Sequence, residues 1–93
     1  MSRARKIWDG AITAELSRAA RGLLDWTQQR ASSEMGIGTG TLAEFEAHES
    51  VPRFTTLSRI ESTYVDAGVT FVNDGHRAGA LLDRARIIKK NET

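Results

Sequence analysis

The side chains that carry out most enzymatic chemistry are few and scattered in this sequence of 93 residues. It contains two histidines, His48 and His76, and no cysteine, so a thiolate nucleophile and a cysteine-ligated metal site are both excluded. The acidic residues show no paired arrangement, and no glycine-rich phosphate loop is present. We therefore expect no catalytic residue, no metal, no cofactor and no enzymatic activity.

A short segment in the middle of the chain combines small and polar residues with two large apolar ones. Leu42 and Phe45 are three residues apart, a spacing typical of the buried side of a helix. Helical geometry then places five residues on the outward side: Thr39, Gly40, Ala43, Glu44 and Ala47. Glu44 could accept a hydrogen bond from the amino group of cytosine, as in direct contacts with DNA bases. Its alternative role is that of a solvated carboxylate that repels phosphate.

The distribution of charge is more informative than the net charge of +1, which is low for a nucleic-acid-binding protein. Basic residues cluster towards both ends of the chain: Arg3, Arg5, Lys6, Arg77, Arg84, Arg86, Lys89 and Lys90. No Lys or Arg occurs between Arg30 and Arg53, whereas four glutamates do. This gap argues against DNA binding and favours a protein partner instead.

The composition is that of an ordinary soluble domain, with 40% apolar and 27% charged residues. No apolar run approaches the roughly 20 residues that a membrane span needs. The basic N-terminus is not followed by the apolar core of a signal peptide. These features predict a cytoplasmic protein that is neither secreted nor bound to a membrane.

Apolar spacing and capping residues predict two helices before the central segment. The first helix begins near Thr13, whose hydroxyl can cap it, and ends at Asp25. Its apolar residues form one stripe at helical spacing: Ile12, Leu16, Ala19, Ala20 and Leu23. The second helix is capped by Thr27 and turns Ala31 and Met35 towards the core.

Two further helices are predicted after a turn at residues 36–38, where glycine can adopt a positive φ angle. The third helix is capped by Thr39 or by Thr41. The fourth helix is capped by Thr55 or by Thr56. Its buried side consists of Leu57, Ile60, Tyr64 and Ala67.

Gly68 is a suitable end for the fourth helix, and the chain that follows has a different pattern. Residues 69–72 are β-branched or aromatic and predict a short strand, and residues 73–75 predict a turn. The spacing of apolar residues favours a helix over residues 80–90. The alternative is a second strand that includes residues 80–82.

These elements predict a mainly α protein, a compact bundle of four to five short helices with a helix-turn-helix, plus a short C-terminal β-strand. Residues 1–11 are expected to form a flexible basic arm, residues 12–68 the helix-turn-helix domain, and residues 69–93 a C-terminal strand and basic tail. A lone strand leaves backbone groups unpaired, so we expect the last of these regions to mediate dimerisation. The predicted dimer interface is Val69, Thr70, Phe71 and Val72.

Several short motifs occur in an ordered set over about residues 12–72. They are Ala19-Ala20-Arg21, Leu23-Leu24, Trp26, Gln28, Gly36, Leu42, Phe45-Glu46-Ala47, Pro52, Thr56-Leu57, Ala67-Gly68-Val69 and Phe71. In this set the chain resembles the lambda-repressor-like (Xre-type) helix-turn-helix family, most of all its short single-domain regulators. The resemblance implies a helical bundle whose second motif helix lies in the DNA major groove, and a domain that usually works as a dimer.

Carried over position by position, the resemblance implies that Gln28 bonds a DNA phosphate and braces the recognition helix. It implies a partly buried pair of Arg21 and Glu46 between the first and third helices. Arg53 and Thr55 correspond to a loop that often approaches the DNA backbone. The expected DNA-contacting residues are Thr27, Gln28, Thr39, Gly40, Thr41, Ala43, Glu44, Arg53 and Thr55.

The sequence departs from the family pattern at two places. The outward side of the third helix lacks the Arg, Lys, Gln or Asn residues that are typical there, and His48 stands where glycine is common. We expect a bacterial or phage-encoded transcriptional regulator, a repressor, that binds a palindromic operator of double-stranded DNA as a homodimer. The alternative is a helix-turn-helix protein-interaction module, such as an antiactivator or antitoxin-like partner, with weak or no DNA binding.

Overall fold

The computed structural model describes residues 12–84, and the predicted basic arm and most of the predicted tail helix lie outside them. Within residues 12–84, four helices precede two strands: α1 Ala14–Leu24, α2 Gln28–Met35, α3 Thr39–Glu46, α4 Phe54–Asp66, β1 Val69–Asn73 and β2 Ala78–Leu82. The prediction of a mainly helical protein with a C-terminal strand is confirmed, and a second strand is added to it.

The first two helices begin and end where the sequence predicts. The backbone N–H of Leu16 donates to the hydroxyl of Thr13 at 3.2 Å, and that of Arg30 donates to the hydroxyl of Thr27 at 2.9 Å. Each bond satisfies one of the N–H groups that the first turn of a helix leaves without a partner. Asp25 and Gly36 end the two helices with left-handed φ angles of 60° and 73°.

The other two helices begin without a side-chain cap, so the predicted threonine caps are wrong. Their N-cap residues are Gly38 and Arg53, both with extended backbones. The threonines expected to cap lie inside the helices: Thr39, Thr41, Thr55 and Thr56. The hydroxyl of Thr39 lies instead 3.0 Å from the hydroxyl of Ser32 on α2, so it links the two helices across the turn.

β1 and β2 form an antiparallel hairpin in which Val69 pairs with Leu82 and Phe71 pairs with Ala80. The carboxylate of Asp74 accepts the backbone N–H of Arg77 at 2.9 Å within the turn. The predicted helix over residues 80–90 is therefore wrong for its first residues, and the alternative of a second strand is correct. Pairing with β1 decides between the two because it supplies partners for the backbone groups of both strands.

The inner face of β1 packs into the core of its own chain. Val69 and Phe71 are 2% and 3% exposed, and the ring of Phe71 lies 6.2 Å from that of Tyr64 in an edge-on arrangement. Thr70 is exposed and Val72 is half-buried. The predicted dimer interface is thus wrong for Val69 and Phe71, whose side chains are buried within the chain's own core. Dimerisation itself stays a prediction.

The core lies where α1, α3, α4 and the hairpin meet, and α2 closes it from one side. Its buried apolar residues are Ile12, Leu16, Ala20, Ala31, Met35, Leu42, Phe45, Leu57, Ile60, Tyr64, Val69 and Phe71. Two residues of the predicted α1 stripe, Ala19 and Leu23, face outwards, because Ser17 and Arg21 occupy inward positions of that helix. None of the helices within residues 12–84 is long and apolar enough to cross a membrane.

Candidate functional site

α3 presents one side to the core and the other to solvent, as its sequence predicts. Leu42 is fully buried and Phe45 is 6% exposed. On the opposite side, Ala43 is half-buried and the remaining residues of the expected contact surface are exposed: Thr39, Gly40, Thr41 and Glu44. We call these five residues, from Thr39 to Glu44 without Leu42, the outer face of α3.

The outer face is low in relief and nearly devoid of charge. A Cβ atom added at Gly40 would meet no heavy atom within 4 Å among the described residues. Glu44 carries the only formal charge of the five, and its carboxylate lies 3.5 Å from the hydroxyl of Ser50. Small side chains allow another molecule to approach the helix backbone closely, but the face offers no cation to a phosphate.

A buried carboxylate fixes the orientation of α3 against α1. Glu46 is 3% exposed, and its side chain receives a fork of hydrogen bonds from Arg21, whose Nη2 lies 2.7 Å from Oε1 and whose Nε lies 3.0 Å from both oxygens. The hydroxyl of Ser17 donates to Oε2 at 2.5 Å. The predicted pair of Arg21 and Glu46 is confirmed. Because one planar guanidinium makes two contacts with the carboxylate, the pair restricts the relative orientation of the two side chains as well as their distance.

Gln28 ties α2 to the same carboxylate. Its amide nitrogen Nε2 donates to Oε1 of Glu46 at 3.0 Å, and the residue is half-buried at the first position of α2. The bond agrees with the expected bracing of α3. A primary amide nitrogen carries two hydrogens, so the bond to Glu46 uses one of its two donors. Contact between Gln28 and a phosphate stays a prediction.

Glu46 stays ionised in this cluster, and the positive charge of Arg21 balances it. Burial raises the pKa of Glu46, but hydrogen bonds from Arg21, Ser17 and Gln28 outweigh burial and leave the pKa below its usual value. The hydroxyl of Tyr64 lies 2.9 Å from that of Ser17, and burial raises the pKa of Tyr64 to about 12. Glu46 is therefore ionised at neutral pH, and Arg21 offsets its charge within the protein.

The remaining predicted contact residues lie on other elements. Thr27 is exposed at the start of α2, where its hydroxyl is already engaged as a helix cap. Arg53 and Thr55 are exposed at the start of α4. The structure thus joins Gln28 to α3 through Glu46, whereas Arg53 and Thr55 belong to a separate surface segment.

The sequence prediction missed two hydroxyl groups of the buried cluster, those of Ser17 and Tyr64. Ser17 lies one helical turn before Arg21, which places both on one side of α1. Tyr64 was expected in the core, and a buried phenol usually has a hydrogen-bond partner. These two signals were present in the sequence, but the partner of each lies on another helix.

The part of the chain that the structure describes is acidic. Residues 12–84 contain ten Asp or Glu residues, seven Arg residues and no Lys. Within this range no group of three or more histidine and acidic side chains is placed so that it could hold a metal ion. The cations that balance the net charge of the whole chain lie near its two ends.

Comparison with known proteins does not assign the chain to a family. It matches no protein-family model, and no curated protein has a significantly similar sequence.

Proposed function

We propose that this protein is a DNA-binding regulator in which α2, the turn at residues 36–38 and α3 act as a helix-turn-helix. The observation that carries the proposal is the orientation of α3: Leu42 and Phe45 are buried beneath it while its outer face is open. A recognition helix must meet both conditions, because it is held by its own domain while it lies in the major groove. The resemblance to the Xre-type family supports the same function.

The outer face suits recognition of bases more than attraction to phosphates. Thr41 carries an exposed hydroxyl at the start of α3, whereas that of Thr39 already contacts Ser32, and Glu44 can accept from the amino group of cytosine. Affinity then depends on contacts with the DNA backbone by Gln28 and Arg53 and by the basic ends of the chain. A domain of this size covers one half-site, so we infer a homodimer on a palindromic operator, acting as a repressor.

A salt titration of binding to mixed-sequence DNA tests the proposal at its simplest level. Each phosphate that the protein neutralises contributes a slope of about −0.9 to the dependence of log K on log salt concentration. We expect measurable binding at low salt that weakens steeply as salt is raised. Absence of binding at low salt would exclude DNA binding as the function of this protein.

A pair of matched variants tests whether α3 is the contact surface. Gly40 on α3 and Gly22 on α1 are both exposed, both helical, and both open to an added side chain. Gly40→Glu and Gly22→Glu change the net charge equally, so a general electrostatic effect weakens both variants to the same extent. We expect Gly40→Glu to abolish binding and Gly22→Glu to weaken it only slightly. Equal effects would place the DNA elsewhere.

A second candidate function is binding to another protein, in the manner of an antiactivator or antitoxin-like partner. It is favoured by the lack of any Lys or Arg from residue 31 to residue 52 and by the exposed apolar side chains of Val51 and Phe54, 85% and 73% exposed. Selection of bound fragments from genomic DNA, run beside co-purification of proteins, separates the candidates. Recovery of a defined protein and no enriched DNA sequence favours the second.

A further inference from the structure

A groove of about 290 Å³ lies between the start of α1 and the segment that follows α3. Ala14, Phe45 and Val51 give it an apolar surface, and Glu15 and His48 lie on its polar side. Phe45 is almost fully buried, whereas Val51 is 85% exposed. The groove therefore joins the core to an apolar side chain that no described residue covers.

The N-terminal segment outside the described residues, residues 1–11, joins the described chain next to this groove. Thr13 lines the groove, and residues 1–11 directly precede Ile12. They include Ile7 and Trp8, the two large apolar side chains of that segment apart from Met1. Trp8 is four residues from Ile12, so an extended chain carries it at most about 14 Å away. A tryptophan is thus within reach of an apolar groove of suitable size.

The cations that precede these apolar residues are complementary to Glu15 at the groove, and one acidic residue, Asp9, follows Trp8. Arg5 and Lys6 directly precede Ile7. Glu15 is exposed at the groove, 3.6 Å from the imidazole of His48, and Glu49 follows His48 in the chain. A hydrogen bond with its own backbone lowers the pKa of Glu15, so its carboxylate is ionised at neutral pH. The segment thus presents cations followed by large apolar groups, and the groove presents the carboxylate of Glu15 beside an apolar surface, with Glu49 next to it in the chain.

We propose that this groove is an intramolecular docking site for the N-terminal segment of the same chain, with the indole of Trp8 covering Val51 and Phe45. The basic residues before it then lie near Glu15. Docking removes apolar area of both partners from water, and a tryptophan buries more of it than most side chains. The segment is thereby held beside the end of α3. This docking site is independent of whether the protein binds DNA.

Fluorescence of the full chain tests the docking. The chain has two tryptophans, Trp8 and Trp26, so Trp26→Phe leaves Trp8 as the only one. We expect emission at shorter wavelength than that of free tryptophan, together with protection from quenching by acrylamide. Trp26 packs near Tyr64 and contributes to the core, so circular dichroism checks that this variant is folded. The difference between the spectra of the wild type and Trp8→Phe gives the same emission without altering Trp26.

Val51→Asp in the same background is the decisive variant. Val51 is highly exposed, so the substitution leaves the core intact but places a charge against the indole. We expect the emission of Trp8 to shift to longer wavelength and its quenching to approach that of free tryptophan. Leu81→Asp, an equal change at a 61% exposed position on β2, is the matched control and should leave both quantities unchanged.

Three results would overturn the proposal. One is emission of Trp8 that already resembles free tryptophan in the unaltered groove. Another is an equal response to Val51→Asp and Leu81→Asp. The third is emission that depends on protein concentration, because this would assign the groove to a second copy of the chain.

Discussion

Removal of the Glu46 carboxylate should have the largest effect on stability of any polar substitution in the described part of the protein. Glu46→Ala removes the acceptor that Arg21, Ser17 and Gln28 share. Arg21 keeps a bond to the carbonyl of Trp26, and the hydroxyl of Ser17 keeps that of Tyr64 as a neighbour. Removing one partner of a buried ion pair costs about 3–5 kcal/mol. The side chain of Arg21 is 20% exposed and retains some contact with water, so we expect the lower end, about 3 kcal/mol.

Chemical unfolding followed by circular dichroism measures this loss. A domain of this size is stable by about 5–14 kcal/mol, so the variant should still fold. A loss of about 3 kcal/mol corresponds to a fall in melting temperature of about 12–24 °C. The control is Glu34→Ala, which breaks the pair with Arg30 at 3.0 Å. Both side chains of that pair are about half exposed, so its loss should cost no more than about 0.5 kcal/mol.

The pH dependence of the unfolding free energy tests whether the ionised carboxylate of Glu46 is what stabilises the fold. The pKa of Glu46 is lower in the folded protein than its usual value of 4.5, so its charge stabilises the fold above that pH. The stabilisation is lost as the pH falls below 4.5 towards the folded pKa. The difference in unfolding free energy between the wild type and Glu46→Gln should therefore shrink on acidification. A difference that stays constant with pH, or a Glu34→Ala effect as large as that of Glu46→Ala, would refute this account.

Two further predictions concern Tyr64 and His48. Tyr64 is the only tyrosine and its pKa is raised to about 12 by burial, so its absorbance should titrate near pH 12. An unfolded phenol titrates near pH 10, so burial of the neutral phenol stabilises the fold fully below that pH. Roughly 2–3 kcal/mol of unfolding free energy is lost as the pH rises to 12. A titration midpoint near pH 10 in the folded protein would contradict the burial of Tyr64. His48 has a φ angle of 62°, so His48→Gly should raise the free energy of unfolding in urea by about 0.5–1 kcal/mol, and a decrease would show that the contact with Glu15 outweighs the backbone strain.

The helix boundaries show which features a sequence can predict. Thr13 and Thr27 cap their helices through a bond to a backbone group three residues later, and such short-range bonds are visible in the sequence. Thr39 has the same chemistry, but its hydroxyl faces Ser32 on the preceding helix. A polar side chain with two possible partners is assigned by the tertiary fold. The sequence therefore predicts α1 and α2 more closely than the starts of α3 and α4.

The conformation of the C-terminal hairpin is determined by contacts between residues that are far apart in the sequence. Residues 80–82 are Ala-Leu-Leu, which suit a helix and a strand about equally well. The register with β1 brings Ala80 opposite Phe71 and Leu82 opposite Val69, and Ala80 and Leu82 pack against the core. Local preference is weak here, so the need to pair β1 and to cover the core determines the conformation.

The outer face of α3 followed from helical periodicity alone, whereas the support beneath it did not. The spacing of Leu42 and Phe45 identifies the buried side, and the exposed residues are then fixed by geometry. The pairing of Glu46 with Arg21 was predicted only through the family resemblance. Ser17 and Gln28 converge on the same carboxylate from two other helices, and such a convergence leaves no spacing pattern in the sequence.

The placement of charge limits how this fold can hold DNA. Arg21 is committed to Glu46, so it cannot also neutralise a phosphate without leaving a buried carboxylate unpaired. The outer face of α3 adds only the negative charge of Glu44. On the proposed function, binding energy from phosphate contacts then comes from groups outside this face, among them Gln28, Arg53 and the basic ends of the chain. Docking of the N-terminal segment beside the end of α3 would bring three of these cations close to the proposed contact surface, which itself has none.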